Sequence, residues 1–205
     1  MKKAAILLLL LNSIILYSQN KIVNIEYEIL YNTDKPNTQK ANLYVSEING
    51  EALYKKELVR NSSKTEKEEN NNLILKFNSK KTNCNYINLK KDSLLSVESI
   101  FGDEYLIKEK VPIIKWELTN EEKLIDTIKV SKAICSFRGR KYIAWYAPEY
   151  PIKFGPWKLH GLPGLIFEVS DETKRYNWFL KKITYQNYSK DAFTIDLDGL
   201  QQLII

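Results

Sequence analysis

The chain has 205 residues, and 31 Lys and Arg residues against 25 Asp and Glu residues give it a net charge of +6 at pH 7. The excess lysines are spread along the chain and no nucleic-acid-binding motif is present, so we expect no nucleic acid partner. One histidine and two distant cysteines give no zinc-ligand spacing, so we expect neither a metal nor a cofactor.

The N-terminus predicts export. Lys2 and Lys3 precede an apolar stretch of about fourteen residues, which is too short for a bilayer span of roughly 20 residues. This pattern is typical of a secretory signal peptide, with Ser18 as the small residue at the cleavage site. We therefore expect a signal peptide over 1–18 and a single β domain over 19–205. No cysteine lies near the cut, so the protein is expected in the periplasm or outside the cell, and not as a lipoprotein.

The first part of the mature chain has the pattern of a sheet protein. Apolar and polar residues alternate over 23–31, which is typical of a half-buried strand. Asn49 and Gly50 separate two further runs of this kind and predict a hairpin, because a tight turn needs positive φ. The polar run over 61–72 has no apolar face and predicts an exposed loop.

Strand-like segments recur through the rest of the chain. They cover 73–77, 85–89, 94–99, 105–109, 114–118, 133–137, 142–146, 165–169 and 176–185. Short strands at regular spacing with hardly any helical periodicity predict a mainly β protein, built as a single curved antiparallel sheet or half-barrel with little helix. A helix or loop over its mouth would cover the apolar face, as in the lipoprotein-carrier type of fold; a sandwich or a more closed barrel is the alternative.

The most distinctive stretch is Gly161-Leu162-Pro163-Gly164-Leu165-Ile166. Together with Phe137-Arg138-Gly139-Arg140-Lys141-Tyr142-Ile143-Ala144-Trp145-Tyr146 and Gly155-Pro156-Trp157, it resembles the GLPGLI family of exported, Bacteroidetes-type proteins. The resemblance runs over about 116–171 and implies export, but it implies no reaction because the family has no settled biochemical function. We expect the motif to be a folding element, with Gly161 or Gly164 at positive φ or against neighbouring backbone.

The two cysteines allow two kinds of chemistry. Cys84 and Cys135 are an even pair in an exported chain, so a disulfide is permitted. The resemblance weakens this pairing, because the position where the family often has a cysteine is Val130 here. With His160 and Asp171, Cys135 could also form a Cys-His-Asp arrangement, so a cysteine-type hydrolase or peptidase is the alternative function. Against it, a buried strand thiol is usually inert.

Aromatic residues are dense between 116 and 178, either as a core with loops wrapped over it or as the lining of a cleft. Arg138 and Arg140 could hold a carboxylate or phosphate, or could form surface ion pairs. Our candidate binding residues are Arg138, Arg140, Trp145 and Trp157. The leading hypothesis is an exported, non-enzymatic β protein that binds a small apolar ligand, a peptide or an outer-membrane transport component; a structural envelope component is the third.

Overall fold

The computed structural model describes residues 21–57, 83–100, 103–193 and 201–204. The signal peptide expected over 1–18, the polar run over 61–72 and the strand expected over 73–77 lie outside the described residues.

Twelve strands of the described residues form one sheet. In chain order they are β1 Lys21–Tyr31, β2 Asn37–Ser46, β3 Glu51–Lys56, β4 Cys84–Asn88, β5 Ser93–Ile100, β6 Asp103–Glu109, β7 Glu117–Ile125, β8 Ile128–Phe137, β9 Arg140–Ala147, β10 Leu165–Asp171, β11 Tyr176–Asn187 and β12 Gln201–Ile204. A four-residue 3₁₀ helix, Lys190–Phe193, is the one helix of the described part. Within that part, no helix has the length and apolarity of a membrane span.

The spatial order of the strands is β12-β6-β5-β4-β3-β2-β1-β11-β10-β9-β8-β7. Every neighbouring pair is antiparallel except β12 and β6, which are parallel. The described sheet is open, with β12 and β7 as its edges. The predicted class, one mainly antiparallel sheet with little helix, is confirmed, and the sandwich and closed-barrel alternatives are wrong.

The sheet is curved, and one hydrogen bond shows how strongly. The indole Nε1 of Trp178 in β11 donates to the hydroxyl of Tyr54 in β3 over 3.1 Å. β1 and β2 lie between these strands. At about 4.8 Å per strand, β11 and β3 would be about 14 Å apart in a flat sheet. Two side chains from the same face therefore meet because that face is concave.

Two connecting segments cover the concave face. The segment 148–164 between β9 and β10, which we call the cover loop, places Ile152, Phe154, Leu159 and Leu162 in the core at 4% exposure or less. The second segment, 110–116 between β6 and β7, adds Trp116, whose Nε1 donates to the backbone oxygen of His160 over 2.8 Å. The cover predicted from sequence is therefore made of loops.

Two sequence expectations differ in detail. The strand predicted over 114–118 begins later, at Glu117, as β7. The side chain of the preceding residue, Trp116, is hydrogen-bonded to the cover loop and not to a neighbouring strand. The hairpin predicted at Asn49-Gly50 is present between β2 and β3. Its loop spans 47–50, however, and of its two expected turn residues only Gly50 has positive φ, at +65°.

Candidate functional site

The turn between β8 and β9 brings two guanidinium groups to the end of the sheet. Arg138 and Gly139 are its central residues, with φ of +47° and +75°. Positive φ at both positions is the tight hairpin geometry whose twist matches that of the flanking strands. Arg138 therefore adopts a backbone conformation that non-glycine residues rarely take, and Arg140 begins the returning strand directly after it.

Both arginines are held by carboxylates. Arg138 Nη2 lies 2.6 Å from an oxygen of Glu109, whose second oxygen lies 3.4 Å from the buried Lys158 ammonium. Arg140 Nη1 lies 3.3 Å from Asp171, and its guanidinium carbon lies 4.6 Å from the centroid of the Tyr176 ring. Both arginines thus form ion pairs, one of the two roles expected for them from the sequence. Among the described residues, each ion pair occupies one terminal nitrogen, and the other N–H donors of each guanidinium could bind a ligand.

Asp171 is a fixed anionic support beneath Arg140. Its side chain is 2% exposed and accepts hydrogen bonds from the Thr173 hydroxyl and from the Tyr176 backbone N–H, the latter over 2.8 Å. Burial by itself raises the pKa of Asp171, but these hydrogen bonds and the charge of Arg140 outweigh it, so the pKa lies below its usual value. The carboxylate therefore stays ionised and keeps Arg140 in place at neutral pH.

The cover loop holds Trp157 in a strained conformation. Its φ is +58°, which is an outlier for a bulky residue. The turn around it is closed by the Gly155 N–H, which donates to the Leu159 oxygen over 2.8 Å, and by the Leu159 N–H, which donates to the Pro156 oxygen over 3.1 Å. Strain of this kind tends to occur where a side chain must be aimed at a ligand.

The indole of Trp157 joins an aromatic cluster from the sheet. It stacks on Trp178 with centroids 6.5 Å apart and an interplanar angle of 15°. Phe137 meets it edge-on at 5.6 Å, and Tyr142 lies 6.1 Å away. The cover loop thus contributes one ring to a wall whose other rings come from β8, β9 and β11.

These groups line an open cleft of about 300 Å³, which we call the aromatic cleft. Its lining consists of five rings and three cations, namely Tyr31, Tyr142, Trp157, Tyr176, Trp178, Lys56, Arg138 and Arg140. Tyr31 and Tyr176, from neighbouring strands, meet edge-on at 5.8 Å. Such a lining can bind a planar or apolar body by ring contact and an anionic group by charge-assisted hydrogen bonds.

Three of the four binding residues expected from sequence, Arg138, Arg140 and Trp157, lie in this cleft. Sequence reasoning missed Tyr31 and Lys56, because they come from β1 and β3 and no local signal connects them with the arginines. Tyr176 and Trp178 lie in the strand predicted over 176–185. Their place beside the arginines depends on the registers of β11 against β10 and of β10 against β9.

Trp145 is on the other side of the sheet. In β9 the even-numbered Tyr142, Ala144 and Tyr146 are buried toward the cover loop, so the odd-numbered Trp145 faces away. There the Lys123 ammonium lies 4.6 Å from its ring centroid and is paired with Glu168, beside a second cavity of about 280 Å³. Trp145 therefore does not belong to the aromatic cleft.

The six-residue motif returns the cover loop to the sheet. Gly161 has φ of +92°, and its N–H donates to the Lys153 oxygen over 2.7 Å. Gly164 is packed so closely that a Cβ there would lie 2.3 Å from the carbonyl oxygen of Ala147. Gly161 is thus at positive φ and Gly164 lies against neighbouring backbone, the two conditions expected for this motif. Leu162, Leu165 and Ile166 are at most 1% exposed, whereas Pro163 is exposed.

The structure corrects the disulfide hypothesis and gives no support to the hydrolase hypothesis. Cys84 and Cys135 are free buried thiols, so the permitted disulfide is not formed; they lie in β4 and β8, with six strands between them, and in separate apolar clusters. Burial raises the pKa of Cys135 to about 12. The His160 ring is bonded to the Lys158 oxygen at 3.0 Å, and among the described residues no hydrogen bond joins it to Cys135. In the described part of the chain, the structure thus gives no support to a Cys135–His160 catalytic pair.

One family model matches the most distinctive part of the sequence. A family described as "Protein of unknown function (Porph_ging)" matches residues 137–168, which span the β8–β9 turn, the cover loop and the start of β10. No curated protein matches the chain.

Among solved structures, PNGF-II is similar with a TM-score of 0.59 and 15% identity over 90% of this chain and 31% of its own. The chain thus spans about a third of the length of PNGF-II, and the likeness at this identity shows the fold alone. An uncharacterised conserved protein from Thermus thermophilus has a TM-score of 0.49 and 9% identity, over 89% of this chain and 90% of its own. A LolA superfamily protein from Nitrosomonas europaea has a TM-score of 0.35 and 10% identity, over 87% and 92%.

Proposed function

We propose that the protein is an exported, non-enzymatic binding protein of the cell envelope that holds a small ligand in the aromatic cleft. The observation that carries the proposal is the meeting of Trp157 and Trp178, stacked at 6.5 Å, with Arg138 and Arg140 in one cleft. Export and the division into a signal peptide over 1–18 and one β domain over 19–205 rest on the N-terminal sequence pattern.

The cleft is suited to binding by contact. Five rings line a volume of about 300 Å³, enough to enclose much of a small ring system or a short acyl chain. Ring contacts of this kind contribute about 1 kcal/mol each beyond the area that they bury. The cover loop already holds Trp157 in place, so a ligand would not need to order that side chain, and pre-organisation favours affinity.

Cys135 and His160, the residues of the hydrolase alternative, are poorly suited to acyl transfer. A thiol with the pKa of Cys135, about 12, is ionised in about one molecule in 10⁵ at neutral pH. Burial also lowers the pKa of His160, although hydrogen bonds to the backbone of Lys158 and Pro112 oppose this, and among the described residues no hydrogen bond joins the ring to the thiol. Binding therefore fits the chemistry of these residues better than hydrolysis does.

Native mass spectrometry of the protein purified from its own cell envelope tests this proposal. We expect wild-type protein to retain a small ligand, which the Trp157→Ala variant should lose. Trp145→Ala is the matched control, since it removes the same ring from the opposite face and should leave the ligand bound. Retention of the ligand by Trp157→Ala, or its loss in Trp145→Ala alone, would place the binding site outside the aromatic cleft.

A further inference from the structure

The charges that line the aromatic cleft are all of one sign. Lys56, Arg138 and Arg140 contribute to its surface, and no carboxylate is among its lining residues. The acids that hold the arginines lie behind the lining: the Asp171 side chain is 2% exposed and that of Glu109 16%. A ligand in the cleft would therefore meet cations and not the carboxylates that position them.

Of the three cations, Lys56 is the one without an ion pair to a described acid. It ends β3 and its ammonium lies 5.5 Å from the centroid of the Tyr31 ring. Among the described residues it forms no ion pair with an acid, in contrast to Arg138 and Arg140. A cation that lines one cleft with two further cations adds to the positive potential there, which an incoming anion would meet favourably.

The rings define the rest of the ligand. Arg140 lies over Tyr176 at 4.6 Å, and Tyr176 meets Tyr31 edge-on, so the cations stand at the margin of an aromatic wall. From this arrangement we infer that the ligand is an amphipathic anion, with a carboxylate or phosphate held by Lys56 and the two arginines and a ring-shaped or apolar body against Trp157 and Trp178. This inference rests on the proposed function and names the class of ligand.

Three probes that share one ring system distinguish the contribution of the ring to affinity from that of the charge. Naphthoate, naphthyl phosphate and the uncharged naphthamide are titrated into the mature chain, with calorimetry for affinity and the indole N–H signals of the tryptophans for location. We expect one or both anions to bind about tenfold more tightly than naphthamide, because hydrogen bonds to charged groups are the stronger ones. Added NaCl should weaken binding of the anions only. The better anion identifies the headgroup as carboxylate or phosphate.

Substitution of Lys56 tests the role of charge without breaking an ion pair to a described acid. Lys56→Gln should weaken binding of the anions about fivefold and leave naphthamide unchanged. Lys129→Gln is the matched control: its side chain is 65% exposed, pairs with Glu122 and lies at the opposite end of β8 from Arg138, so all affinities should stay the same.

The outcomes separate the inference from the proposed function. Equal affinity for all three probes, or equal effects of Lys56→Gln on charged and neutral probes, would overturn the inference and keep the cleft as a binding site. If none of the probes shifted the indole signals of Trp157 and Trp178, the proposed function itself would fail.

Discussion

Gly164 lies directly against the backbone of Ala147, the last residue of β9. A Cβ on Gly164 would be 2.3 Å from the Ala147 carbonyl oxygen and 2.9 Å from the Cα of Pro148. The next residue, Leu165, is the register partner of Ala147, so the two chains are fixed to each other where the cover loop rejoins the sheet. Gly161 has open space around it but a φ of +92°. The two glycines are therefore needed for different reasons.

Alanine at these two positions should separate steric from conformational cost. Gly164→Ala should lower the free energy of unfolding by more than ~2 kcal/mol, because backbone on the opposing strand cannot move aside. Gly161→Ala should cost about 1 kcal/mol, since only positive φ is penalised. Urea denaturation measures both. Unchanged midpoints for the two variants would mean that the motif is not a folding element.

Local sequence patterns predicted the strands, whereas the residues that line the aromatic cleft depend on which strands are neighbours in the sheet. Period-2 alternation located β1, and Asn49-Gly50 located the hairpin between β2 and β3. The same alternation implies that Trp145 faces away from the cleft, but only once it is known that the even-numbered residues of β9 are the buried ones. Lys56 reached the cleft through the order β3-β2-β1-β11, which no short-range signal specifies. The sequence therefore indicated three cleft residues and not the opposite wall.

The strain at Trp157 gives a second prediction. In most loops glycine is less favourable than alanine because it gains more freedom on unfolding. At φ of +58° this order should reverse, since alanine keeps the backbone strain that glycine does not feel. We expect Trp157→Gly to be more stable than Trp157→Ala by about 0.5–1 kcal/mol in thermal denaturation, although both lose the ring contacts. The opposite order would show that the loop relaxes when the ring is removed.

The single histidine offers a direct pH test. Burial lowers the pKa of His160, against opposing hydrogen bonds to the backbone of Lys158 and Pro112. As the pH falls, the unfolded chain binds the proton first, at about 6.5. The contribution of His160 to stability should therefore decrease as the pH falls from about 6.5 to the folded-state pKa, and no further below it.

Proton NMR of the ring measures this shift, because one histidine gives one titration curve. The midpoint should lie below about 6.5 in the folded protein. His160→Gln should flatten the loss of stability over the same pH range. A midpoint at or above the usual value would mean that the imidazole is not held neutral by burial.

Two buried serines form a matched pair for hydrogen bonding. Ser96 is 0% exposed, and its hydroxyl has no hydrogen-bond partner in the described part of the chain. Ser46 is 1% exposed and its hydroxyl accepts from the Asn49 N–H over 3.4 Å. Ser96→Ala should leave the unfolding free energy unchanged or raise it, whereas Ser46→Ala should lower it by about 0.5–1 kcal/mol. A loss of stability in Ser96→Ala as large as in Ser46→Ala would reveal a partner for Ser96.

The last prediction concerns the thiols, where binding protein and hydrolase differ most. Burial, as the largest cause, raises the pKa of Cys84 to about 11 and that of Cys135 to about 12. The thiolate is the reactive form, so a disulfide-exchange reagent at neutral pH should label neither cysteine in the folded protein. In denaturant both should react, since they are free thiols and not a disulfide. His160→Ala should change neither result. Fast labelling of Cys135 that disappears in His160→Ala would instead favour the hydrolase hypothesis, because it would require the imidazole to stabilise the thiolate.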